Sequence, residues 1–143
     1  MKTLYTTSAV ATGDGRNGRV TSIDGLLDAP VRTPKELGGA GEATNPEQLF
    51  AAGYAACFHS ALKLVAAKSG VNTSDSEVVA DVSLGALPTG GFGLAAQIEV
   101  SLPELDRETA EALTKLLAGD KSIPAGRVEN EDMIVVADTA AAN

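Results

Sequence analysis

The sequence predicts an α+β fold, with antiparallel sheets wrapped around one central helix. Three observations predict it. Segments of strand composition and helical pattern follow the order strands, helix, strands, helix, strand. The strand segments are joined by glycine-rich turn signals rather than by crossover helices. The stretch from Asn45 to Gly70 carries a full set of helix start and stop signals. The chain has 143 residues, of which 44% are hydrophobic. That is the length of one domain, able to bury roughly 68–70% of its unfolded surface without a disulfide or metal. Aromatic residues are only 3%, so Ala, Val and Leu must build most of the core. We expect a single domain over 1–143: an N-terminal hairpin at 1–27, a loop at 28–44, the central helix at 45–70, a second strand-strand-helix-strand part at 76–136, and a tail at 138–143.

The opening, "LYTTSAVATGDGRNGRVTSIDGLL", is rich in Thr, Tyr and Val and has no helical stripe, so it reads as strand, turn, strand. Asn17-Gly18 is a tight-turn dipeptide and marks the expected turn, with a second turn at Asp24-Gly25. The next span contains Pro30, Pro34, Gly38, Gly39 and Gly41, which predict irregular structure. A loop of that length points to a functional role or to exchange between subunits.

The helix is the best-marked element. Asn45 is a good N-cap, Pro46 fits the first helical position, and Gln48 stands where a capping box places it. Gly70 lies where a C′ glycine ends a helix. Phe50, Gly53, Tyr54, Cys57, Ala61, Leu64 and Val65 fall on one stripe at helical spacing. The opposite side, Gln48, Ala52, Ala55, His59, Lys63 and Ala66, is mostly small. Such a helix is suited to close packing on more than one side. Beyond it, Val78, Ala80, Val82 and Leu84 alternate, as do Leu94, Ala96, Ile98, Val100 and Leu102, so two strands flank "GALPTGGFG". Asp106 caps a second helix with the stripe Leu113, Leu116 and Leu117, ended by Gly119. "DMIVVADT" reads as the last strand, and "ADTAAAN" has no large side chain to hold it down.

A net charge of −8 repels phosphate backbones and anionic lipid, which argues against nucleic-acid and membrane-surface partners. One cysteine rules out an intrachain disulfide framework and a cysteine-based structural zinc site. No basic-apolar leader opens the sequence and no run of about 18 apolar residues interrupts it. The expectation is a soluble, cytoplasmic protein with no bound cofactor and no metal.

"GDGRNG", Gly13 to Gly18, matches G-x-G-x-x-G. A dinucleotide site needs a helix after that motif, and here a strand pattern follows, so the hairpin reading prevails. It leaves open why Arg16 stands on the turn. His59 is the only histidine, but two residues along a helix is about 200° of rotation, so it points away from Cys57 and is a poor base for it. Glu47 has an ordinary explanation, since a carboxylate in the first turn complements the helix dipole. Taken alone, Cys57 reads as a small buried hydrophobe, more than two turns past the cap.

"TNPEQLFAAGYAACF", Thr44 to Phe58, resembles the organic hydroperoxide resistance proteins, a branch of the OsmC-like superfamily. The Gly53-Tyr54 step is similar to this branch rather than to the osmotically inducible one. "LYTTSAVATG" with "GRNG", "PKELGGAGEATNPEQL" and "LPTGGFGLAAQIEVSLP" extend the resemblance over most of the chain. The resemblance implies an OsmC-like α+β fold and an intertwined homodimer. It implies reduction of organic hydroperoxides by a peroxidatic cysteine, with a lipoyl-type dithiol, carried on a lipoylated protein, or another external thiol as reductant. It matches Cys57 to that cysteine, and Arg16 and Glu47 to the arginine and glutamate that attend it. The chemistry agrees. A free thiol is only a few per cent thiolate at neutral pH, and a neighbouring guanidinium favours the thiolate and can bind peroxide oxygens. The guanidinium in turn needs a carboxylate to hold it, because a buried unpaired charge is costly. Phe50, Tyr54 and Phe92 are candidates for an apolar pocket favouring alkyl or lipid hydroperoxides over H2O2.

Glu47 and Cys57 are ten residues apart, which is roughly 15 Å along a continuous helix. Either the helix breaks near Gly53, or a site combines Cys57 of one chain with Glu47, with or without Arg16, of another. The chain also departs from the family, whose second, resolving cysteine follows the second helix. An ungapped match through Pro124 puts Ile123 at that position, and a shift by one puts Ser122 there. The expectation is a one-cysteine peroxidase whose sulfenic acid is met directly by an external thiol. The competing expectation is a peroxide sensor or small-ligand binder that kept the fold without turnover.

Overall fold

The computed structural model describes residues 2–119, 126–129 and 134–140. The chain separates into two compact units, Met1–Leu49 and Phe50–Asn143. The expected α+β class holds, with antiparallel sheets and two α-helices.

The first unit is built on a three-stranded antiparallel sheet in the order β1-β2-β3, with β1 Ala9–Asp14, β2 Asn17–Ser22 and β3 Asp28–Pro30. The last pair of the β1–β2 ladder is Asp14 with Asn17, so the turn residues are Gly15 and Arg16. Gly15 takes φ +48, which a glycine adopts without cost. The turn thus falls inside the glycine-rich stretch with Arg16 on it, as expected, but Asn17-Gly18, expected to mark it, instead opens β2. The reason is Gly18, which lies inside the ladder opposite Gly13, where a Cβ would fall 1.9 Å from the Thr12 carbonyl oxygen. The turn at Asp24-Gly25 forms as expected, with Gly25 N–H donating to the Ser22 carbonyl and φ +74 at Gly25. The stretch 28–44 is more regular than its prolines and glycines suggest. Asp28–Pro30 pairs with β2, and Lys35–Leu37 forms a 3-10 turn stopped by Gly38 at φ +80. Pro30 is tolerated because β3 is an edge strand.

Helix α1, Pro46–Lys68, begins in the first unit and runs into the second without a break at Gly53. Asn45 Oδ1 accepts the Gln48 N–H at 2.9 Å, the N-cap bond its position predicts. The Gln48 side chain does not close a capping box; its Oε1 accepts from Thr44 Oγ1 instead. At the other end, Gly70 N–H donates to Ala67 O and Val71 N–H to Ala66 O, with Gly70 at φ +68. That pair of bonds is a Schellman motif.

The second unit places α1 against a four-stranded sheet in the order β4-β5-β7-β6, with β4 Glu77–Ala86, β5 Phe92–Ser101, β6 Gly126–Glu129 and β7 Ile134–Ala140. Its core joins Phe58, Leu62 and Ala66 of α1 with Ile98 and Val100 of β5, Leu102, and Ala110, Leu113 and Leu117 of α2, Arg107–Gly119. The Asp106 cap forms, with Oδ1 accepting the Thr109 N–H at 3.0 Å, and these bonds hold its carboxyl below the usual range. Four expectations change here. Ala66 belongs to the buried face of α1, whereas Phe50 and Leu64 are exposed, and within this unit α1 is buried on one side only. β6 is an additional strand. The tail begins later than expected, because Asp138, Thr139 and Ala140 pair with Gln97, Ala96 and Ala95. A ladder uses backbone groups, so small side chains are no obstacle to it. By length and composition α1 is also apolar enough to cross a membrane, with mean hydropathy 1.4 over 18 residues, which corrects the expectation of no such run. Ala and Cys raise that mean while offering little surface, and the core helix of a soluble protein meets the same measure.

Candidate functional site

Arg16 sits at the tip of the β1–β2 hairpin and Glu47 in the first turn of α1, 31 residues apart in sequence. The fold of the first unit brings them together. Arg16 Nη1 donates to Glu47 Oε2 at 2.9 Å and Nη2 to Oε1 at 2.6 Å, a two-pronged, charge-assisted pair. The Glu47 side chain is 14% exposed and that of Arg16 39%. The bonds from Arg16 hold the Glu47 carboxyl below its ordinary range, against the opposing effect of burial. The same bonds push the guanidinium pKa up. Glu47 is therefore ionised at neutral pH and fixes the plane of the guanidinium. Its place in the first turn also suits the helix dipole, so the ordinary explanation of Glu47 holds alongside its pairing with Arg16.

A short strap after β3 holds the pair in register. Val31 N–H donates to Gly18 O at 3.0 Å, and Thr33 N–H to Asn17 Oδ1 at 3.2 Å. Arg32 N–H donates to Thr44 O at 2.9 Å, and Val31 and Thr44 form a parallel bridge. Arg32 Nη1 donates to the carbonyls of Gly18 at 3.1 Å and Val31 at 2.7 Å. The sequence reading missed Arg32, because no spacing pattern distinguishes an arginine in an irregular segment.

Cys57 belongs to the second unit. It is a free, exposed thiol on α1, so the core-filler reading fails for this chain. It lies on an exposed stripe of Gly53, Ala56, Cys57, Ser60 and Leu64, small residues for the most part. The Phe50 and Tyr54 rings stack at 5.8 Å with 22° between their planes. The Tyr54 hydroxyl is buried and lacks a hydrogen-bond partner among the described residues. Phe92 opens β5 and is 74% exposed. His59 is half-buried and serves the structure. The Ser76 hydroxyl donates to Thr73 O at 2.7 Å, which leaves its oxygen to accept from His59 Nε2–H at 3.0 Å. Lys63 Nζ also donates to Thr73 O. These bonds tie α1 to the loop before β4, with no part left for His59 as a base for Cys57. The G-x-G-x-x-G stretch is the β1–β2 hairpin, with no helix after it. Among the described residues no group of three His, Cys, Asp or Glu side chains could hold a metal ion. Ile123, with Ser122 beside it, lies outside the described residues; the sequence holds no second cysteine.

Residues 39–123 match the family model described as OsmC-like protein. An organic hydroperoxide resistance protein of Xanthomonas axonopodis pv. citri is 48% identical over 114 residues, covering 78% of this chain and 79% of the relative. Among solved structures, an organic hydroperoxide resistance protein from Elizabethkingia anophelis with thiocyanate bound is similar at TM-score 0.74 and 50% identity, covering 79% of this chain and 81% of that one. A putative organic hydroperoxide resistance protein from Vibrio cholerae, with captopril bound in one of its active sites, is similar at TM-score 0.75 and 44% identity, covering 81% and 79%.

Proposed function

Since the chain belongs to the OsmC-like family, among the organic hydroperoxide resistance proteins, we propose that it reduces organic hydroperoxides to alcohols through Cys57. The observation that carries this reading is the two-pronged Arg16–Glu47 pair, at 2.6 and 2.9 Å. It supplies an oriented, fully charged guanidinium of the kind a thiolate and a peroxide need, at the two positions the family resemblance matched. Phe50 and the stacked Tyr54 favour alkyl or lipid hydroperoxides over H2O2.

The Cys57 thiolate attacks the distal oxygen of ROOH. The O–O bond breaks, RO⁻ takes a proton and leaves as ROH, and the sulfur is oxidised to sulfenic acid. Arg16 stabilises the thiolate and the charge developing on the peroxide oxygens. With no second cysteine in the chain, an external thiol attacks the sulfenic acid, releasing water and leaving a mixed disulfide. A second thiol, or the other thiol of a lipoyl-type dithiol, then restores Cys57 and departs as disulfide.

The site is completed in a homodimer, by the Arg16–Glu47 pair of one protomer and Cys57 of its partner. Two observations support this. α1 is unbroken, so ten residues of rise separate Glu47 from Cys57 along it. The exposed stripe around Cys57 also consists mostly of small residues, against which a second copy can pack closely. The test is a steady-state peroxidase assay across cumene hydroperoxide, a fatty-acid hydroperoxide and H2O2, with monothiol and dithiol donors and Cys57→Ser as control. We expect turnover that depends on Cys57 and is fastest with the organic peroxides. Absence of Cys57-dependent peroxide loss would sink the proposal.

The single cysteine favours a second reading, a peroxide sensor that keeps the first step without turnover. Intact mass after one equivalent of cumene hydroperoxide separates the two. A lasting sulfenic acid, unaffected by added thiol, identifies the sensor; return to the starting mass identifies the enzyme.

A further inference from the structure

We infer that Arg32, aided by Asn17, is a positioning residue that sets Arg16 onto Glu47. The Arg16 turn and the start of α1 are separate elements, and their shared attachment is the strap 31–33. On one side the strap holds the turn: Val31 N–H and Arg32 Nη1 both donate to Gly18 O, at 3.0 and 3.1 Å, two residues after Arg16. Thr33 N–H donates to the side chain of Asn17, the residue immediately after Arg16. On the other side the strap holds the helix start: Arg32 N–H donates to Thr44 O, directly before the Asn45 cap and three residues before Glu47. Arg32 thus binds the turn through its guanidinium and the helix start through its backbone.

The Arg32 guanidinium is spent on these backbone contacts. The side chain is half-buried, and among the described residues it has no carboxylate partner. A partly desolvated guanidinium spent on two backbone carbonyls is costly unless the crosslink matters. Here the guanidinium ties Gly18, beside the turn, to a residue whose backbone N–H is already bonded to Thr44 before the helix start, and those two elements carry the side chains that must meet within hydrogen-bond distance. A misplacement of about 1 Å in such an arrangement costs on the order of 100-fold in rate.

This inference rests on the reading of Arg16 as the group that serves Cys57, so the experiment includes a readout that does not need that reading. The variants are Arg32→Met, which keeps the stem and removes the donors, Arg32→Lys, which keeps the charge, and Asn17→Ala. The first readout is hydrogen exchange of the Arg16 guanidinium protons by NMR. The second is the pH dependence of Cys57 alkylation by iodoacetamide, with Arg16→Met as reference. The third is kcat and KM for cumene hydroperoxide. In Arg32→Met we expect faster Arg16 exchange, an alkylation midpoint moved to higher pH toward that of Arg16→Met, and a fall in kcat/KM of about tenfold to 100-fold, carried mainly by kcat. Arg32→Lys restores part of each effect, and Asn17→Ala moves all three in the same direction by less. Wild-type exchange and an unchanged alkylation midpoint in both Arg32→Met and Asn17→Ala overturn the inference, even if thermal stability falls. If wild type shows no Cys57-dependent activity, the proposed function falls, and Arg16 exchange alone then decides the positioning role.

Discussion

Glu47 accepts two hydrogen bonds from Arg16 while sitting in the first turn of α1, so one carboxylate serves the helix dipole and the guanidinium together. Its pKa is depressed from the ordinary 4.5, chiefly by those bonds. The stability it contributes is therefore fully present above the unfolded-state value and is lost as pH falls through the lower folded-state value. Replacing it by glutamine should cost stability at neutral pH and progressively less under acid. Denaturant titrations of wild type and Glu47→Gln between about pH 7 and about pH 3 should show their difference shrinking toward the acid end; a gap independent of pH would contradict the depressed carboxyl. Peroxidase activity of Glu47→Gln should fall more than tenfold at neutral pH, since removing an oriented charged partner costs at least that much. The dipole role was visible from the position of Glu47 alone, and a place beside Arg16 only through family resemblance. Charge and spacing could not show that Arg16 reaches Glu47, because the two are 31 positions apart in the chain.

At the scale of elements, α1 shows where sequence patterning works and where it fails. Both caps are local chemistry, and both form: Asn45 on Gln48 N–H, and the Gly70 Schellman bonds. The buried face was read less well. Tyr54, Ala61 and Val65 pack against the core as the expected stripe implies, but its centre runs through Phe58, Leu62 and Ala66. The helix is apolar or small almost all round, so polarity could not select a face. The large side chains that fit against β5 and α2 selected it. Leu62 is fully buried, and Leu62→Ala should cost about 2–5 kcal/mol by chemical denaturation. A cost below about 1 kcal/mol would mean that this face is not the packed one. The β1–β2 turn teaches the same lesson, since the Asn17-Gly18 signal was outweighed by the ladder, in which Gly18 alone avoids the Thr12 carbonyl.

At the scale of the whole molecule, the exposed stripe on α1 and the 58% exposure of Leu64 are the features a second copy would cover. Sedimentation of wild type should give a dimer, and Leu64→Glu should shift it toward monomer and remove peroxidase activity at the same protein concentration. A fully active Leu64→Glu monomer would refute the composite site. The sequence by itself determined the α+β class, the order of the two helices and the longer strands, the helix caps and the single cysteine. It also determined that Cys57 has no second cysteine in this sequence with which to form a disulfide. Those properties follow from local dihedral preference, periodicity and composition, which neighbours along the chain settle among themselves. Only the tertiary structure decided which face of α1 is buried, where the first turn falls, and that Arg16, Arg32 and Glu47 form one connected arrangement. Those depend on side-chain volume and on hydrogen bonds between residues far apart in sequence, and no local pattern records either.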